Sequence, residues 1–131
     1  MRERYAVKRE YKRERYSTAT GRAAYLCRRA RARARKRGLK FDLKPGPIAE
    51  AIERGACALT GLPFELGPWR RPGPHPFAPS LDRIDSSRGY TPDNVQVVCH
   101  AANQAKGAMT MEELRRLVTA LVEEQAWARR N

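Results

Sequence analysis

The chain is short of cysteine, of histidine and of long apolar runs. Its cysteines, Cys27, Cys57 and Cys99, are odd in number and widely spaced, so they imply no disulfide framework. Reduced, packed thiols are the default for such a set. No run of about 18 apolar residues occurs, which excludes a membrane-spanning helix. The opening Met1-Arg2-Glu3-Arg4-Tyr5 has charge but no apolar segment behind it. No secretory signal is read, and a cytoplasmic location is expected. At 131 residues, 41% of them hydrophobic, the chain holds one modest core and an arm beside it.

Acidic residues are scarce too, and unevenly so. The 27 Lys and Arg against 14 Asp and Glu give +13. Residues 1–44 hold 17 of the cations and 4 of the acids, which is already +13; residues 45–131 hold 10 of each. A division into a basic arm and helix (1–44) and a neutral core (45–131) follows. An excess this one-sided points to a polyanionic partner rather than a merely solvated tail. An anionic membrane is the weaker match, because the basic stretch lacks the Leu/Phe/Trp face of an interfacial helix.

Residues 1–16 read as a frayed helix or a disordered arm, with Tyr5, Tyr11 and Tyr16 either stacking on bases or packing on the domain. Residues 21–37 read as a helix between an N-cap at Thr20 and a C′ glycine at Gly38. Ala23, Leu26, Cys27, Ala30 and Ala34 form its apolar seam. Its cations, Arg28, Arg29, Arg31, Arg33, Arg35, Lys36 and Arg37, repel one another until an anion lies alongside. Phe41 to Leu43 reads as extended. Pro47 at N1 and Gly55 at C′ bracket a short helix with Ile48, Ala51 and Ile52 inward. Cys57 to Phe64 reads as strand and turn, and the prolines of 67–79 as a loop. Leu81 to Asp85 alternates like a half-buried strand, Ser86 to Asp93 is a loop, and Val95 to Cys99 is a second strand. His100 to Lys106 is a helix closed by Gly107. Thr110 with Glu113 is a capping box for a last helix, whose stripe of Leu114, Leu117, Val118, Leu121 and Val122 reads as core or an oligomer face.

The segment Ser80-Leu81-Asp82-Arg83-Ile84-Asp85, then Gly89 to Cys99, then Asn103-Gln104-Ala105-Lys106-Gly107, resembles the HNH (ββα-metal) endonucleases, especially phage-borne members with an "LDRID…GYTPDN" core. The lead-in Arg35 to Leu43 and the later Cys57…Thr60-Gly61 resemble the same group, so the likeness covers roughly residues 20–120. It implies an α+β fold: a small ββα core flanked by helices. It implies a metal-dependent endonuclease that hydrolyses DNA phosphodiester bonds, double-stranded DNA foremost. Asp82 and Asn103 are then the ligands of one Mg²⁺ or Mn²⁺. Asn94 is structural, tying its loop across the two strands, and Lys106 and Arg83 contact phosphates. If phage-borne, the protein works in the host cell.

The sequence departs from that pattern twice. The usual histidine after the metal-binding aspartate, the general base, is Arg83 here, and arginine cannot take a proton at working pH. His100, on the Asn103 face of its helix, is the first replacement as base or added ligand, Asp85 the next, and Tyr90 and His75 stand outside. A metal-bound hydroxide that needs no dedicated protein base is a further alternative, and Arg83 then serves the phosphate's charge. The alternative is an inactive HNH-fold module that binds DNA without cutting it. Many relatives also carry two Cys-x-x-Cys pairs holding zinc. Here Thr60 and Ala102 stand where each second cysteine would be, so structural zinc is not expected and Cys57 and Cys99 should lie together in an apolar cluster. No base-reading element is evident. Oligomeric state, nicking against double-strand cutting, and DNA against RNA are not set by the sequence.

Overall fold

In a computed structural model, residues 1–69 and 73–131 are described; Pro72 of the proline-rich loop falls outside them. The elements run α1 (Arg2–Tyr16), α2 (Ala19–Arg37), α3 (Pro45–Glu53), β1 (Pro79–Arg83), a 3₁₀ turn (Pro92–Asn94), β2 (Val95–Cys99), α4 (His100–Lys106) and α5 (Met111–Arg130). This is an α+β fold in which one antiparallel hairpin, β1 with β2, is backed by helices. None of these helices is long and apolar enough to cross a membrane.

The basic first third is helical. Every face of α1 is exposed or half-exposed, with no buried residue. Tyr16 packs on α2: its ring lies 4.7 Å from that of Tyr25, and its hydroxyl accepts from Arg28 Nη2 at 2.9 Å. Tyr5 and Tyr11 stay outward, at 63% and 61% exposure. The cap of α2 is Thr18, not Thr20. Its Oγ1 accepts from Gly21 N at 3.0 Å, because the helix begins two residues earlier than the sequence suggested. Gly38 ends α2 with φ 67°, the left-handed conformation that glycine adopts without strain. The seam Ala23, Leu26, Cys27, Ala30 and Ala34 is buried and shares one core with Ile48, Ile52, Leu81, Tyr90 and Val97. The core thus runs across the charge boundary near residue 44.

Two other local expectations shift. Helix α3 starts at Pro45, so Pro47 is its third residue; both prolines sit in the first turn, where the N–H they lack has no helical acceptor. Residues 57–64 form a tight turn rather than a strand, with Cys57 N on Leu62 O and Gly61 N on Cys57 O, both at 2.8 Å. In the hairpin, Pro79 faces Cys99, Leu81 faces Val97 and Asp82 faces Gln96. The expected alternation fails at two places: Asp82 is 3% exposed and Ile84, beyond the strand's end, is 50% exposed. Asp82 is buried because polar partners meet it there.

The link from β1 to β2 is pulled onto the segment after α2. Tyr90 N donates to Lys40 O and Asp42 N to Tyr90 O, both at 2.9 Å, and a side chain at Gly89 would strike Lys40 O. Cys57 and Cys99 are buried around Val98, with Ala102 against them. Helix α5 is capped by the full Thr110/Glu113 box, yet none of its residues is buried. Leu117, Val118, Leu121 and Val122 are 48–63% exposed, so its stripe is not core.

Candidate active site and nucleic-acid face

The hairpin and α4 meet over an open polar cavity of about 400 Å³ lined by Arg33, Arg37, Asp82, Arg83, Tyr90 and Asn103, among others. The order strand, loop, strand, helix explains the convergence. Asp82 lies near the end of β1, Asn103 and Lys106 lie on the helix that follows β2, and α2 carries its arginines along the rim.

Asn94 locks the loop. It is 1% exposed; its Oδ1 accepts from Asp85 N at 2.9 Å, and its Nδ2 donates to Asp85 O at 3.0 Å and Gly89 O at 2.8 Å. An amide supplies both signs of partner, which neither Asp nor Leu does. Asn103 Nδ2 donates to Ser80 Oγ at 2.8 Å and Leu81 O at 3.0 Å. That leaves Asn103 Oδ1 without a protein donor among the described residues.

Asp82 is held otherwise than a metal ligand would be. Lys106 Nζ lies 2.9 Å from both carboxylate oxygens and 2.9 Å from Arg83 O, and Gln96 Nε2 donates to Oδ2 at 2.8 Å. The side chains of Lys106 and Asp82 are 1% and 4% exposed. The three N–H bonds of the ammonium are all used, and it sits on both oxygens that a cation would need. As held, Asp82 and Asn103 do not fit a divalent ion. Among the described residues no group of three or more His, Cys, Asp or Glu could hold one. Lys106, expected at a phosphate, faces this carboxylate instead.

The candidate bases are dispersed. Asp85 Oδ1 accepts from the Ser87 hydroxyl at 2.6 Å and Ser87 N at 2.9 Å. Those bonds hold it below the usual carboxylate range, which makes it a weak proton acceptor. Arg83 is pinned by Ser86 O at 2.7 Å and Arg88 O at 2.9 Å, and its guanidinium lies over the Tyr90 ring, 5.2 Å from the centroid. His100 lies in an adjoining cavity with Arg22, Arg29, Arg33 and Ser80. Burial, with Arg22 beside it, holds its imidazole below the usual histidine range. His75 stacks on Trp69 with centroids 5.3 Å apart and lines neither cavity. Of the helix cations, Arg33 and Arg37 reach the Asp82 cavity, while Arg28 and Arg29 engage tyrosine hydroxyls and Arg31 lies over Phe41. Arg35 and Lys36 are exposed.

No protein-family model and no curated protein matches this chain. Among solved structures it is similar to the rare-cutting HNH restriction endonuclease PacI, with a TM-score of 0.55 and 22% identity over 82% of this chain and 80% of that one. The fold is the ββα-metal fold of the HNH endonucleases. The hairpin, its Asn94-locked loop and α4 are the ββα unit of that fold, and α2 supplies its basic flank.

Sequence reasoning missed the Lys106–Asp82–Gln96 cluster and the role of Arg22, whose Nε and Nη2 both hold Pro79 O, at 3.1 and 2.9 Å. The first had a signal: Gln96 pairs with Asp82 across the hairpin, and Lys106 follows Asn103 by one helical turn.

Proposed function

We propose that the protein is an endonuclease that hydrolyses phosphodiester bonds of double-stranded DNA. The observation that carries this reading is the open cavity of an HNH fold, lined by Arg33, Arg37 and Arg83 beside Asn103. Three guanidinium groups can bind a phosphodiester and stabilise the extra charge of its transition state. Asn103 Oδ1, with no protein donor among the described residues, is the acceptor left to orient an attacking water. The exposed cations of α1 and α2 extend the grip along the backbone without reading bases.

A second reading rests on one specific observation. Arg83 stands where a base would, and Lys106 occupies Asp82, which suits an HNH-fold module that binds DNA and leaves it whole.

Supercoiled plasmid incubated with the protein in Mg²⁺, Mn²⁺ or EDTA separates the two. Nicked or linear product that is lost in Asn103→Ala supports the endonuclease, and the EDTA lane reports whether a cation is required. Retarded but intact plasmid in every lane would establish the binding module.

A further inference from the structure

The cavity that holds His100 has no part in the reading above. It measures about 140 Å³ and is lined by Arg22, Tyr25, Arg29, Arg33, Ser80 and His100, among others. Among the described residues no carboxylate lines it, and none of the three arginines pairs with an acid. Arg22, Arg29 and Arg33 are spaced by seven and four along α2, so one helix face delivers all three.

The lining is pre-set. Arg22 is fixed by Pro79 O through two of its donors and lies over the Tyr25 ring, 5.1 Å from its centroid. Nη1 of that guanidinium is left over among the described residues. Ser80 Oγ accepts from Asn103 Nδ2 at 2.8 Å, so its hydroxyl hydrogen is free to donate elsewhere. Donors held in place, with no carboxylate set against them, are what an oxyanion needs. Arg33, Leu81 and Tyr90 line both this cavity and the Asp82 cavity.

We propose that this cavity is a second phosphate subsite, seating the phosphodiester next to the one in the Asp82 cavity on the same DNA strand. His100 and Ser80 are donors to that phosphate, and His100 is not the base for the cut. The assignment to a DNA strand rests on the proposed function; the anion site itself does not.

The experiment has two arms. In the first, inorganic phosphate is titrated into the full chain while the imidazole NMR signals of His100 and His75 are followed, the second as internal control. A saturable shift at His100 alone is expected, weakened at least about tenfold in Arg29→Gln. Arg29 is exposed, so this variant should fold. Absence of saturation, or an Arg29→Gln curve like wild type, would overturn the subsite. In the second arm, DNA affinity is measured against salt for wild type and Arg29→Gln. The slope of log K on log salt should become shallower by about 0.9, the increment for one phosphate neutralised by one cation. Phosphate binding with an unchanged slope would overturn the strand assignment. Saturable phosphate binding with no plasmid cutting sinks the nuclease and leaves the subsite standing; cutting without phosphate saturation does the reverse.

Discussion

Replacing Lys106 with methionine is the sharpest perturbation the structure offers. Met approximates the lysine stem but removes the ammonium that touches both oxygens of Asp82 at 2.9 Å. The carboxylate, 4% exposed, then keeps only the Gln96 amide. Breaking a buried pair from one side typically costs about 3–5 kcal/mol, because the remaining charge stays desolvated. The surviving Gln96 bond places this case toward about 3 kcal/mol. For a chain of this length that is a fall of roughly 10 °C in melting temperature. Urea unfolding of wild type, Lys106→Met, Asp82→Asn and the double variant reads the effect as a cycle. The singles should each be destabilised and the double should lose much less than their sum, with a coupling of about 2–3 kcal/mol. A Lys106→Met loss under about 1 kcal/mol, or additive singles, would refute the idea that this ion pair is a buried strut.

Since Lys106 holds Asp82, EDTA should leave the wild-type melting temperature unchanged, while Mn²⁺ should raise that of Lys106→Met by opening the carboxylate to a cation; calorimetry with and without metal checks both. Asn94→Ala removes three hydrogen bonds at a 1%-exposed position and should cost roughly 2–4 kcal/mol by urea titration. The Thr91 hydroxyl and Arg88 hold Asp93 at about 2 against the ordinary 3.8. A depressed carboxylate stabilises the fold above its unfolded value and loses that contribution as pH falls from about 4 to about 2. Thermal melts across that window should therefore drop more steeply for wild type than for Asp93→Asn, and parallel curves would show that Asp93 carries none of this stability.

Where local rules suffice, the sequence was legible. Strand β2, helix α4 with its closing Gly107 and the Thr110/Glu113 box lie where patterning and capping put them. The buried seam of α2 was equally plain, because Ala23, Leu26, Cys27, Ala30 and Ala34 recur at helical spacing. Thr18, like Thr20, is a good N-cap residue type, and it is Thr18 whose Oγ1 accepts from Gly21 N. The site was harder to read for a different reason. A motif fixes which residues converge, not which partner each takes. Asp82 had Lys106, Gln96 and a cation as rival partners, and the choice depends on burial that arises only once α4 lies on β1. His100 is on the expected helix, but at its first turn it falls into the neighbouring basic cavity.

Helix α5 gives the molecule an uneven energy landscape. Its capping box and good helix formers favour its backbone, but with no buried residue it draws almost nothing from the core. Its amides should exchange with solvent through local fraying well before those of α2, whose Ala23, Ala30 and Ala34 are at most 2% exposed. Proteolysis under native conditions would then begin in α5 and in α1, which likewise has no buried residue, and leave the hairpin and its cavities in one piece.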